Sequence, residues 1–331
     1  MITAKSEYNP PERPRVDFIV PCYNEESNVA AFYDAFTCAF EGCSAEWRLV
    51  MVDDGSSDGT LAQLARIASV DDRVAVIGFS RNFGKEAAIY AGLEHIDADY
   101  VGIIDADLQQ PPSTARTMLE RLISDNNIDC VAAFQEERKE GAFMSAVKGR
   151  FYRVFAKASR SDTVANASDF RVFRRTVADA LLSMPEYYRF SKGMFAWVGF
   201  NTLPWPYTPD ERASGESKWT FGSLLGYALE GLLSFTTNPL HFITKVGIIV
   251  SIIAIIYTIA VIVRTLMLGI DLPGYASTLC LILLFGGGQF FAIGIIGEYL
   301  GRTYIQGKHR PIYIVKTRVN VSRPERNDYN L

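Results

Sequence analysis

Apolar residues come early in this chain as short runs that stop at polar loops, and later as long runs without a single charge. Arg15 to Val20, Trp47 to Val52, Val74 to Phe79 and Tyr100 to Ile104 are of the short kind. Runs of that length, bounded by turn formers, predict parallel strands buried on both faces. Each leads through a polar loop to a helical stretch: one beginning near Ser27, Leu61 to Ala68, the segment through Leu93, and Ser113 to Ser124. This alternation predicts an α/β domain with a mostly parallel sheet and helices on both faces, in which ligands bind beyond the carboxyl ends of the strands. Further strands are expected near Asp129 to Phe134 and Ser168 to Phe173. A helix is expected after Lys148-Gly149-Arg150, and another helix and strand across Tyr188 to Phe200 and Trp205-Pro206-Tyr207.

The long runs differ in kind. Val246 to Val263 and Leu272 to Gly297 carry no charge, and each is close to or above the ~18 to 20 residues that cross a bilayer. Only Arg264 to Asp271 separates them, so they predict a transmembrane hairpin. Lys245 precedes the pair, and Arg302, Lys308, Arg310, Lys316, Arg318 and Arg323 follow it. Positive charge on both flanks places both ends in the cytosol. The expected organisation is a flexible tail over 1–15, a cytosolic catalytic domain over 16–219 and interfacial helices over 220–242. Two membrane helices over 243–300 and a cytosolic C-terminal tail over 301–331 complete it. An integral protein of the cell's inner membrane is the corresponding location.

Charge and cysteine usage narrow the partners. A net charge of −4 argues against a nucleic-acid binder, which needs a basic excess. The five cysteines have no metal-ligand spacing and suit reduced thiols facing a cytosol.

The loops after the predicted strands carry the candidate chemistry. Asp105 and Asp107, one residue apart beyond the fourth strand, can turn oxygens toward one hard divalent cation, whose usual task is to neutralise a phosphate. Asp53, after the second strand, can accept hydrogen bonds from a base or ribose, with Tyr23 packing against the same ring. Lys85, near the start of the helix after the third strand, lies where a phosphate meets that helix's positive end. Asp58 reads as a helix cap. With the hydrophobic hairpin, this suggests a reaction between a soluble phosphorylated molecule and a lipid.

Pro-Cys-Tyr-Asn-Glu-Glu at 21–26, Asp-Asp-Gly-Ser-Ser-Asp-Gly-Thr at 53–60, Ser-Arg-Asn-Phe-Gly-Lys-Glu-Ala at 80–87, Asp-Ala-Asp-Leu-Gln at 105–109 and Gly-Glu-Ser-Lys-Trp at 215–219 occur in that order. Together they resemble family 2 glycosyltransferases, and with two C-terminal apolar segments the polyprenyl-phosphate branch in particular, over roughly Val16 to Lys316. The resemblance implies a GT-A, Rossmann-like fold, a nucleotide-sugar donor and a Mg²⁺ or Mn²⁺ ion. It places Pro21, Tyr23, Glu25 and Asp53 in the nucleotide pocket, Asp105 on nucleotide and metal, Asp107 as main metal ligand and Gln109 as accessory. Asp169 matches an acid near the reacting carbon, and Arg212, Ser217 and Lys218 match a loop for lipid phosphate and diphosphate.

The expected reaction is in-line attack of a polyprenyl phosphate oxygen on the anomeric carbon, with inversion. Lys85, Arg171, Arg212 and Lys218 are nominated to offset the repulsion between the two anions. UDP-glucose is the first choice of donor, because the 80–86 stretch looks most like bactoprenol glucosyltransferases; GDP-mannose and other UDP-sugars stay open. Relatives suggest a homo-oligomer, a tetramer among the options. The rivals are a processive synthase, which needs a Gln-x-x-Arg-Trp pattern and more membrane helices than this chain has, and a non-catalytic membrane scaffold.

Overall fold

The computed structural model describes residues 13–135, 167–208, 238–268 and 274–321. Its centre is four strands of almost wholly buried apolar residues, β1 (Arg15–Cys22), β2 (Glu46–Asp53), β3 (Val74–Phe79) and β4 (Tyr100–Ile103). They pair in parallel because α1 (Val29–Ala39), α2 (Thr60–Ala68) and α3 (Lys85–Glu94) return the chain between them. With β5 (Cys130–Gln135), β6 (Ala167–Arg174), β7 (Thr202–Tyr207) and β8 (Val315–Val319), they make one eight-stranded sheet in the order β7-β5-β6-β4-β1-β2-β3-β8. The sheet is more mixed than the expected mostly parallel one: β6 runs antiparallel to β4 and β5, and β8 to β3. The helical crossovers that enforce parallel neighbours end with α4 (Pro112–Ser124), and later strands escape that constraint.

β1 also runs past its expected stop at Pro21, which pairs with Val52. Its pairing with β4 ends at Ile19, so beyond that point β1 has one open side, the setting in which a strand tolerates proline.

On one face, α1, α2 and α4 cover a core built around Phe18, Phe36, Phe40 and Trp47. Phe36 stacks on Phe40 at 4.4 Å and meets the Phe18 and Trp47 rings edge-on at 5.1 and 5.4 Å; such contacts add about 0.5–1.5 kcal/mol each to the burial of their area. On the other face, α3 lies close to the sheet through Ala87, Ala88 and Ala91, over Val50, Val52 and Ile77. Gly92 makes that approach possible, since a Cβ there would come within 2.3 Å of Ile19. This is the helix whose first residue is Lys85. Two short helices, α5 (Arg175–Leu182) and α6 (Ser191–Val198), follow β6.

The segment expected to be a C-terminal tail contains β8, which completes the sheet edge beside β3. Tyr313 stacks on Phe79 at 4.9 Å and donates its hydroxyl proton to Glu94 Oε2 at 2.6 Å. Tyr313→Phe removes this bond and is expected to lower stability by about 1 kcal/mol in a denaturant titration; an unchanged midpoint would mean that water replaces it without cost.

The chain divides into two compact units, one comprising Met1–Leu225 with Pro311–Leu331 and the other Gly226–Arg310. Described in the second are α7 (Asn238–Leu268) and α8 (Tyr275–Gln306). Among the described residues no helix is long and apolar enough to cross a membrane, so the expected hairpin is not supported as a bilayer crossing. Both helices outrun the uncharged stretches: α7 takes in Lys245 and Arg264, and α8 takes in Glu298 and Arg302. Ile248, Ile252, Ile256, Phe290 and Ile293 are nonetheless exposed along them. Most of the expected interfacial segment 220–242 lies outside the described residues.

Candidate active site

The loops leaving the carboxyl ends of β1 to β4 are bonded to one another. Asn24, in the left-handed region at φ 55°, donates its N–H to Ser56 Oγ and accepts the Ser57 N–H on its side-chain oxygen, both at 2.9 Å. The Glu25 N–H donates to Thr60 Oγ1 at 2.9 Å, and the Glu25 carboxylate accepts from the Asn28 side chain at 2.6 Å. Gly55 adopts φ 65°, and a Cβ there would come within 2.2 Å of the Arg81 carbonyl carbon. Asp54 closes this second junction by accepting the N–H groups of Phe83 and Gly84 at 2.6 and 2.9 Å. Asp58 accepts from the Thr60 N–H at 3.0 Å, but the N-cap position of α2 is Gly59, so the expected cap is instead a turn closed one residue before it.

Asp53 is 1 % exposed. Its Oδ2 accepts from the Ser56 N–H at 3.3 Å, while Oδ1 has no hydrogen-bond partner. Burial pushes its pKa up even though Ser56 works against this. An oxygen buried without a donor is costly. Pro21 lies half-buried at the end of β1, and Tyr23 is exposed just beyond it.

Beyond β4 the chain turns at Leu108, φ 61°. Gln110 grips Asp105 twice, accepting its N–H and donating to its Oδ2, each at 2.9 Å. Asp107 accepts the Gln109 N–H at 3.1 Å. Strand β6 brings the next acid, because Ile103 pairs with Arg171 in antiparallel register and Asp169 therefore falls beside Asp105. Lys85 bridges the two carboxylates, 2.6 Å from Asp105 Oδ1 and 3.4 Å from Asp169 Oδ2. Desolvation lowers the Lys85 pKa, but Asp105 and Asp169 outweigh it and hold the ammonium charged well above the usual lysine range. Burial raises the pKa of Asp169, but Lys85, Lys192 and Arg171 bring it below the usual carboxylate range. Its Oδ1 has no hydrogen-bond partner.

Beside Lys85, Glu86 points to α6 and accepts both the N–H and the hydroxyl of Ser191. Burial first, and the neighbouring Asp169 next, push its pKa up. Arg171, nominated for the acceptor phosphate, is 3 % exposed. Its guanidinium lies 4.3 Å over the Phe195 ring, and its Nε donates to the Ser168 carbonyl at 3.1 Å. It is buried against Phe195 rather than exposed on the rim. Arg212, Ser217 and Lys218 lie outside the described residues.

The Cys22 thiol lies close to several of these acids. Burial raises its pKa, and so do the carboxylates of Glu25, Asp53 and Asp105, which gather near the ends of β1, β2 and β4. Among the described residues no three His, Cys, Asp or Glu side chains are arranged to hold a metal ion. An ion here would take Asp105 and Asp107 from the protein and further oxygens from a substrate.

The pattern of known proteins that match follows the same residues. The model of "Glycosyl transferase family 2" matches residues 17–182. A Bacillus subtilis (strain 168) protein, CsbB, whose name gives glycosyl transfer only provisionally, is 39 % identical over 95 % of this chain and 95 % of its own length. The chain is a family 2 glycosyltransferase. A prophage bactoprenol glucosyl transferase homolog of Escherichia coli (strain K12) is 37 % identical over 91 % of this chain and 98 % of its own. The bactoprenol glucosyl transferase of Shigella phage SfV is equally identical over the same shares. Among solved structures, glucosyl-3-phosphoglycerate synthase from Mycobacterium tuberculosis, in complex with Mn²⁺, UDP-glucose and phosphoglyceric acid, is similar with a TM-score of 0.50. It is 17 % identical over 67 % of this chain and 78 % of that one, a likeness of fold. This glycosyltransferase thus has a GT-A-like mixed sheet and is an enzyme of the transferase class.

Asp54, Glu86 and Gln110 of this glycosyltransferase escaped the sequence reading. Asp54 and Gln110 are neighbours in sequence of Asp53 and Gln109, and only the fold decides which side chain of each pair reaches a neighbouring segment.

Proposed function

We propose that this glycosyltransferase moves a hexose, glucose first among them, from a UDP-sugar to a polyprenyl phosphate with inversion at the anomeric carbon. One observation carries the reading: Asp105, just beyond β4, and Asp169, on the neighbouring β6, converge on the Lys85 ammonium, and Asp53 at the end of β2 buries an unpartnered oxygen. The rim these residues form unites a place for a nucleoside, a place for a diphosphate and an acid beside the reacting centre. Relatives named for bactoprenol glucosyl transfer support the acceptor.

The cation already held by Asp105 and the carboxylate chemistry of this turn fit a Mg²⁺ or Mn²⁺ ion, which Asp105 and Asp107 would hold with Gln109 close by. Such an ion, when bound, supplies Lewis-acid stabilisation of the leaving diphosphate. Asp53 accepts from the base or ribose, Tyr23 packs on the ring, and Pro21 and Glu25 complete the pocket. Lys85 offsets diphosphate charge, aided by the positive end of α3. Asp169 orients the attacking phosphate or the sugar. No base is needed, since a phosphate with a second pKa of about 6 is mostly ionised at neutral pH. Arg212, Ser217 and Lys218 bind the acceptor phosphate.

The reading further places α7 and α8 in the membrane with the catalytic unit cytosolic, on the strength of the uncharged run Val246 to Val263 and the exposed isoleucines. Self-association as a homo-oligomer belongs to the same proposal.

The test offers full-length protein in detergent a panel of UDP-glucose, UDP-galactose, UDP-N-acetylglucosamine and GDP-mannose with undecaprenyl phosphate, and follows the labelled sugar into the organic phase. Glucose is expected to move, and EDTA to stop it. Transfer from GDP-mannose alone would overturn the choice of donor. Donor binding without transfer from any sugar would leave a binding scaffold.

A further inference from the structure

We infer that Lys85 is the resident counter-cation of the acid pair, and that a divalent metal binds in competition with it, displacing its ammonium from Asp105 toward the donor diphosphate. The inference rests on the proposed metal and nucleotide-diphosphate roles of this rim.

The geometry supplies the reasons. The Lys85 Nζ reaches both Asp105 oxygens, at 2.6 and 2.9 Å, and stands 3.4 Å from Asp169. A cation so placed takes the charge and the oxygens that a metal on Asp105 needs. Its location is otherwise unfavourable, because Lys85 is the first residue of α3 and a positive charge at a helix N-terminus opposes the helix dipole. The acids hold it there. An anion in front of α3 would hold it better still, since diphosphate, helix end and ammonium would then complement one another.

Glu86 confines the movement to one side chain. Its carboxylate is fastened to Ser191, and α3 is seated on the sheet through Ala87, Ala88 and Ala91. The helix therefore stays in place while the Lys85 stem, 41 % exposed at the surface, swings. Gln110 keeps Asp105 oriented throughout. Glu86 is thus a positioning residue, acting through the helix that bears Lys85.

The experiment measures Mn²⁺ affinity of the full-length protein by the electron paramagnetic resonance of free Mn²⁺, without and then with UDP. Lys85→Gln is expected to tighten Mn²⁺ about tenfold without nucleotide, the size of one nearby charge removed at the surface, and Lys85→Arg to stay near wild type. With UDP present the order reverses, and Lys85→Gln binds Mn²⁺ more weakly than wild type. Independently of any variant, Mn²⁺ alone is expected to increase chemical acetylation of Lys85 in the wild-type chain, read by mass spectrometry. Unchanged or weaker Mn²⁺ binding in Lys85→Gln without nucleotide, or Lys85 labelling indifferent to Mn²⁺, would overturn the competition. Failure of the underlying reading looks different: UDP then leaves Mn²⁺ affinity unchanged in every form of the protein.

Discussion

Asp107→Ala is expected to lower sugar transfer about a thousandfold, the loss of about 4 kcal/mol of leaving-group stabilisation, while the protein unfolds at the same temperature as wild type. The separation of the two effects follows from the position of the side chain. Asp107 stands beyond the end of β4 and is only half-buried, and it accepts the Gln109 N–H within its own turn. No strand pairing depends on it. Initial rates at rising Mn²⁺ make the measurement specific: partial recovery at high metal marks a weakened ion site. Activity within a few fold of wild type at ordinary metal would remove Asp107 from the chemistry. Asp105→Asn is a less clean probe, because it also disturbs the Lys85 ion pair.

Gly55→Ala is expected to cost roughly 3 kcal/mol, combining about 1–2 for a side chain in the left-handed region with about 1–3 for overpacking. The clash is with backbone, 2.2 Å from the Arg81 carbonyl carbon and 2.6 Å from the Asn82 nitrogen, so no rotamer change relieves it. Relief requires the loops after β2 and β3 to part. That would break the Asp54 bonds to Phe83 and Gly84 and shift Asp53 and Lys85 together. Denaturant unfolding measures the first loss, and the donor KM reports the second. A variant with wild-type stability would show that the two loops are not locked at this point.

The same residues show what can be read from a sequence of this kind. Strands β1 to β4 were legible because burial on both faces leaves mostly apolar runs, interrupted only by Asp17 and Arg48, which pair with each other, and the rim acids because each sits where such a run ends. Faces within a motif were not legible. Asp53 and Asp54 are adjacent and chemically identical, yet one presents an unpartnered oxygen and the other is consumed in tying two loops. Glu86 reads as an ordinary charge on a helix, since its partner Ser191 lies 105 residues away. Asp169 and Arg171 share one side of β6, but depth along the strand separates a half-buried acid from a guanidinium covered by Phe195. Strand β8 left almost no trace: Val-Lys-Thr-Arg-Val alternates, but over five residues with two charges. Its identity as a strand comes from β3.

That last strand has a consequence for biosynthesis. Tyr313 reaches back 219 residues to Glu94, and Asn320 reaches back 252 to Ala68. Everything between must leave the ribosome first. Until then the outer border of β3 offers its backbone to any passing extended polypeptide. Nascent chains halted before residue 311 should therefore be the aggregation-prone form of this protein, and synthesis of β8 doubles as a seal on the border of β3.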